Sequence, residues 1–159
     1  MTKKEFVKKY TKLIVISTEG TPLFPSVKMA QAILESGTGS SQKMMKANAM
    51  FGIKGYGLKS PYWQGKVFNS STKEVIQGTE VTINDSFRAY DTMGDGVRDH
   101  TYLIMNLSIY KQVREAATPE AQAQALQAGG YATATNYAGS LINLINELDL
   151  KELDKKKSL

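Results

Sequence analysis

The sequence has no cysteine, one histidine (His100) and one tryptophan (Trp63) among 159 residues. Without cysteine there is no disulfide and no thiolate nucleophile, and a chain of this length buries enough core to need no covalent staple, so the compartment stays open. One histidine and no thiol leave no His/Cys zinc cluster, and neither a metal nor a cofactor is expected. No stretch approaches the roughly 18 apolar residues of a membrane span. The apolar run Leu13–Ile16 is too short for a signal-peptide core of about 7–15 residues, so no standard leader is expected in this chain and the export route stays open. Repeats and linkers are also missing, which predicts one domain over 1–159.

What is present reads as globular: 42% hydrophobic and 22% charged residues. The net charge is +5 and the pI about 9.3, which suits an anionic partner such as nucleic acid, a membrane surface or a wall polymer. The lysines gather at the ends (Lys3, Lys4, Lys8, Lys9 and Lys12; Lys151 and Lys155–Lys157), where solvated charge explains them equally well. No aromatics are interleaved with them, so nucleic-acid binding is not expected.

The chain is organised around Ala30–Gly39, AQAILESGTG. Val27, Met29, Ala30, Ile33 and Leu34 recur at helical spacing, predicting a half-buried helix that Gly37 ends. Glu35 then lies in the last turn, where unpaired carbonyls oppose its ionisation, as a general acid requires. It also falls off the apolar face beside Lys28 and Gln31, where a solvated surface glutamate is the plain alternative. Ser26, after Pro25, is a candidate cap for this helix.

Before it, Phe6, Tyr10, Leu13 and Ile14 stripe a first helix over residues 1–18. After it, Ser41–Asn48 suits a short helix, and Phe51 and Ile53 pin a glycine-flanked loop into the core. From 56 to 90 helical periodicity disappears, and Val67, Thr72, Val75, Val81 and Ile83 suggest two or three short strands turning near Gln77-Gly78. Helix returns after Asp91, where Val97, Leu103, Ile104, Leu107 and Val113 mark a long amphipathic segment with Asp95 and Asp99 in its early turns. Thr118-Pro119 opens another helix, and Tyr137–Leu150 is the last, followed by a charged, frayed tail over 151–159.

AQAILESGTGSS, NAMFGIKG, W-x-G, FRAYDT, DH and GGYAT, in this order between Phe24 and Leu150, resemble family 73 of the glycoside hydrolases, the β-N-acetylglucosaminidases that cut peptidoglycan. The resemblance implies a lysozyme-like α+β fold: a mainly helical body and a small β-lobe (about 56–90) flanking a saccharide cleft. It implies Glu35 as general acid, Glu74 as the second carboxylate with Glu80 its rival, and Tyr131 beside the reacting sugar. Phe51 and Lys54 would line the cleft floor, with Trp63 and Thr133 also against substrate. His100, in the DH word, is expected to be structural and satisfied by a hydrogen bond. Thr38 stands where the family has tryptophan, Ala134-Thr135 where it has Asp-Pro, and Gly96 where it has serine.

The expected function is therefore hydrolysis of β-1,4 bonds in peptidoglycan glycan strands at the bacterial wall, by a protein expected to be monomeric. A muramidase or lytic transglycosylase on the same fold is one alternative; a non-catalytic wall-binding or phage structural module is another. Glu74 would activate water, attack, or stabilise charge, or the substrate acetamido group would attack with Tyr131 orienting it.

Overall fold

A computed structural model describes residues 1–157. Helix α2 (Pro25–Glu35) forms its axis, packed by α1 (Lys3–Thr18), α6 (Pro119–Ala128), α7 (Tyr137–Glu147) and α8 (Lys151–Asp154). Every residue from Pro25 to Ile33 is buried, Lys28 and Gln31 included. The expectation of a half-buried helix is thus corrected: α2 has apolar neighbours on one side and polar partners on the other. Lys28 Nζ donates to the Val97 carbonyl at 2.8 Å and to the Thr101 hydroxyl, and the Gln31 amide donates to the Tyr137 hydroxyl at 3.0 Å. Without such partners, buried polar groups of this kind would each cost several kcal/mol.

Both ends of α2 are fixed by hydrogen bonds. Pro25 occupies the first helical position, so Ser26 sits inside the helix and is not its cap. Asp154 performs the capping from across the chain, accepting the Ser26 N–H and hydroxyl at 2.8 Å each. The tail expected to fray is therefore docked over its described length: Leu153 is buried, and Lys157 Nζ donates to the carbonyls of Thr21 and Leu23. Residues 158–159 of that tail lie outside the described residues. At the other end, Thr38 N–H bonds to the Ile33 carbonyl and Gly37 N–H to that of Leu34, which is a Schellman stop placing Glu35 last in the helix.

The β-lobe is one antiparallel hairpin of two ten-residue strands, β1 (Val67–Ile76) and β2 (Thr79–Arg88), rather than two or three short ones. Gln77 and Gly78 join them with φ of 50° and 79°, the paired left-handed residues of a tight hairpin turn. Opposed residues share a face, so Phe68, Ser70, Thr72 and Glu74 line up with Phe87, Asp85, Ile83 and Val81 on the half-buried side. Toward the turn the other face, including Lys73 and Glu80, is exposed.

The expected long segment after Asp91 is broken into α4 (Met93–Asn106), a single 3-10 turn (Ser108–Tyr110) and α5 (Lys111–Glu115). Leu107 is extended, and Arg114 takes up the freed carbonyls of Ile104 and Leu107 at 2.7 and 2.9 Å. The last predicted helix likewise stops at Glu147, because Asp149 adopts a left-handed φ of 51° before α8 begins. Helix α3 (Gln42–Ala47) is capped by Ser41.

Arg88, at the end of β2, joins the lobe to the body. Its guanidinium pairs with Asp99 of α4 at 3.1 Å, both side chains being fully buried. Its remaining donors reach the carbonyls of Lys54, Tyr56 and Leu58 at 3.1, 2.8 and 2.6 Å. Asp99 also accepts from the hydroxyls of Ser60 and Tyr90. Gly96 lets α4 pass the preceding loop: a Cβ there would lie 2.6 Å from the Asn48 carbonyl oxygen, so this chain has no room for the serine the resemblance would place at 96.

Candidate active site

A cavity of about 540 Å³ opens between the inner face of the hairpin and the helical body. Glu35, Glu74, Tyr131, Phe51, Lys54 and Thr133, six of the seven residues singled out from the sequence, line it.

Glu35 reaches the cavity from the last turn of α2. Removal from water pushes its carboxyl up to about 7; Lys43 and a hydrogen bond from the Tyr137 hydroxyl pull the other way, and the charge of Glu74 adds to the rise. The solvated-surface alternative fails because α2 is buried through its polar side, so its C-terminal end opens into the cavity instead of bulk water. A half-buried carboxyl poised near neutrality can hold and release a proton.

Glu74 projects from β1 on the inner face. Its Oε1 faces Lys54 Nζ at 3.1 Å, and its Oε2 accepts from the Thr133 hydroxyl at 2.7 Å. Thr133 in turn accepts the Val75 N–H at 2.9 Å. Lys54 is held between Glu74 and Asp85, each at 3.1 Å; burial works against its charge, but bonds to Asp85 and Glu74 outweigh that and raise its pKa. Glu80 springs from the opposite face of the hairpin, beside the turn, two-thirds exposed and 3.9 Å from Lys73; it stands at the edge of the same cavity without a bond to Glu74, Lys54 or Thr133.

Phe51 forms the floor, nearly buried and stacked on His100 at 3.9 Å between centroids. Tyr131 lies edge-on to His100 and stacked over Tyr137. Its hydroxyl is buried without a partner among the described residues, and burial holds its pKa well above the usual phenol value. His100 corrects the expectation of a hydrogen-bonded structural histidine: neither ring nitrogen has a partner among the described residues. Its burial, with the Lys28 charge behind it, keeps the imidazole neutral far below the usual range.

Trp63 is not in the cavity wall, which departs from its expected place against substrate. It is 5% exposed in a small cluster with Ala47, Ala49, Ala89 and Tyr90, its indole N–H donates to the Lys66 carbonyl at 2.8 Å, and the Arg88 guanidinium covers its ring at 4.0 Å. An exposed aromatic does stand at the cavity rim: Tyr56, 64% exposed, on the loop whose carbonyls Arg88 holds. Tyr56, Lys43, Tyr137 and an apolar wall of Leu103, Leu107 and Tyr110 are among the lining residues that the sequence did not mark as a site. Lys43 had a usable signal, lying eight residues after Glu35 on a short helix, whereas the apolar wall was indistinguishable from ordinary core. Among the described residues no group of three or more His, Asp or Glu side chains gathers to hold a metal, and no helix is long and apolar enough to cross a membrane.

Comparison with known proteins adds to this geometry. The exo-glucosaminidase LytG of Bacillus subtilis is 38% identical over 138 residues, 84% of this chain and 47% of its own. The peptidoglycan hydrolase FlgJ of Salmonella typhimurium is 31% identical over 98% of this chain and 48% of its own. The chain thus spans about half the length of these curated relatives. A crystal structure of a peptidoglycan hydrolase mutant from Sphingomonas sp. A1 superposes with a TM-score of 0.79 at 30% identity, covering 94% of this chain and 97% of that one. Residues 12–150 match the glucosaminidase family, described as mannosyl-glycoprotein endo-beta-N-acetylglucosaminidase, and the chain belongs to that family, a lysozyme-like group of glycoside hydrolases.

Proposed function

We propose that this chain hydrolyses β-1,4 glycosidic bonds of peptidoglycan glycan strands at the cell wall, as an endo-β-N-acetylglucosaminidase with Glu35 as general acid. The observation that carries the reading is a glutamate at a helix end, inside a cavity of sugar-binding size, with its carboxyl pushed up to about 7.

In this reading the Glu35 proton passes to the leaving oxygen as the bond from that oxygen to the anomeric carbon breaks. Positive charge then develops at that carbon and the ring oxygen. Glu74, its two oxygens already engaged by Lys54 and Thr133, is fixed in place and acts as a stationary negative charge facing the cation. That engagement favours attack by the substrate's own acetamido oxygen over attack by Glu74. The Tyr131 hydroxyl, buried and unpartnered, supplies a donor to orient the acetamido group. Water then adds its hydroxyl to the anomeric carbon as the bond from that carbon to the acetamido oxygen breaks, restoring the acetamido group, and gives its other proton to Glu35. Phe51 and Tyr56 offer apolar faces to the sugar rings, and the protein's positive charge favours approach to an anionic wall.

The test is digestion of purified peptidoglycan, reduction of the new chain ends and mass analysis of the fragments. N-acetylglucosamine at the new reducing ends is expected. Muramic acid or anhydromuramic ends would assign the neighbouring bond, and no release of fragments would remove the activity.

A further inference from the structure

Lys43 of α3 lines the cavity half-buried, with Nζ 4.3 Å from the centre of the Phe87 ring. Lys54 lies 4.7 Å from the same ring, but its charge is answered by Glu74 and Asp85. The Lys43 ammonium makes no hydrogen bond and no ion pair among the described residues. Its neighbour on the cavity floor, Gly52, has no side chain to cover it. Among the charges around it, Glu35 acts on it most strongly, then Lys54 and Glu74. An ammonium partly removed from water, resting on the Phe87 ring and bonded to no carboxylate, is costly in a resting protein, and its place in a cavity points to a partner on the ligand.

The chemistry of the proposed reaction names that partner. A general acid sits beside the leaving oxygen, which is O4 of the sugar being released. One ring carbon away is O3. In N-acetylglucosamine O3 carries only hydrogen; in muramic acid it carries a lactyl ether ending in a carboxyl, free or amide-linked to a stem peptide. A cation that lines the same cavity as Glu35 and feels its charge most strongly is therefore placed to meet that lactyl group when muramic acid leaves. Resting on the reading proposed above, we infer that Lys43 recognises the lactyl carboxylate of the leaving muramic acid, so that glycan stripped of its stem peptides is the preferred substrate. The reaction that supplies it is hydrolysis of the lactyl–peptide amide.

The experiment compares kcat/KM on two soluble tetrasaccharides: one of N-acetylglucosamine alone, and a peptide-free strand of alternating N-acetylglucosamine and muramic acid with free lactyl carboxyls. The parent protein is expected to favour the second. In Lys43→Met the ratio should fall at least about tenfold, as for loss of a charge-assisted hydrogen bond, mostly through KM. Lys43→Arg should largely restore it. Methyl-esterifying the lactyl groups should lower the parent's ratio to the same extent, a comparison that needs no variant to fold. An unchanged ratio in Lys43→Met, both substrates falling in step, or indifference of the parent to esterification would overturn the inference while leaving glycan cleavage standing. A parent that cuts neither tetrasaccharide would overturn the cleavage reading itself, and this inference with it.

Discussion

The hydroxyl of Thr133 donates to Glu74 at 2.7 Å and accepts the Val75 N–H at 2.9 Å, so one threonine after α6 bonds to both side chain and backbone of the hairpin. With Lys54 on its other oxygen, Glu74 is a carboxylate already committed to protein partners. Glu35 has only the Tyr137 hydroxyl.

This difference separates the two glutamates. Glu35→Gln keeps the shape but has no proton to give, and should lower the rate of peptidoglycan cleavage by about 10²–10⁴-fold. Glu74→Gln should cost less, since the amide can still accept from Thr133 and, in the proposed mechanism, the acetamido group is the nucleophile. Rates of both variants, compared after melting curves show equal folding, check this; a larger loss at Glu74 would make it the nucleophile or the base.

The pH dependence of stability should carry the mark of Glu35. Its carboxyl ionises near the ordinary 4.5 when unfolded and at about 7 when folded. Between those values the folded protein holds the extra proton, so stability falls as pH rises from about 4.5 to 7, by up to about 3 kcal/mol. His100 acts with the opposite sign, because the unfolded chain takes up a proton below the usual histidine value that the folded chain refuses. Subtracting the Glu35→Gln curve from the parent curve leaves the Glu35 contribution. Urea unfolding from pH 4 to 8 should show the difference declining across that window, and activity should fall as pH rises through about 7, where the folded Glu35 loses its proton. A flat difference would remove the raised acid.

Asp99→Asn should destabilise the protein by about 3–5 kcal/mol, because it leaves the Arg88 charge buried with no counter-ion. Amide exchange in residues 54–63 should accelerate more than in α2, since Arg88 and Asp99 hold that loop through Lys54, Tyr56, Leu58 and Ser60. Uniform acceleration would mean the pair supports the whole fold equally.

Thr38 holds a left-handed φ of 57°, which its β-branched side chain disfavours. Thr38→Asn should raise stability by about 1 kcal/mol in denaturant unfolding, since asparagine tolerates that conformation. A loss of stability would show that the Thr38 side chain packs more usefully than its backbone suggests.

The helix bearing Glu35 and its stop were legible because periodicity and Gly37 are local signals. So was the Gln77-Gly78 turn. Lys28 and Gln31 misled, since a polar residue on a helical wheel reads as solvated until Val97, Thr101 and Tyr137 are known to meet it from distant segments. Trp63 misled for a related reason: a tryptophan beside glycine suits a sugar platform or a packing site, and only the position of Arg88 decides between them. Which of Glu74 and Glu80 faces the inner side of the hairpin follows from strand register, and register depends on where the hairpin turns. The neutral, unpartnered state of His100 left no trace in the chain at all, being a product of burial against Phe51 and Lys28.

Arg88 fixes the backbone of the rim from beneath, through three carbonyls and no rim side chain. The side chains of Tyr56 and Leu58 line the cavity, while only their carbonyls bond to Arg88. Shape and chemistry are thereby uncoupled: what these two positions present to a ligand can change by single substitution while the path of the chain beneath them stays the same. In this architecture the loop is where new preferences can arise with the least disturbance to folding, and Arg88 with Asp99 is the constant part that makes such variation safe.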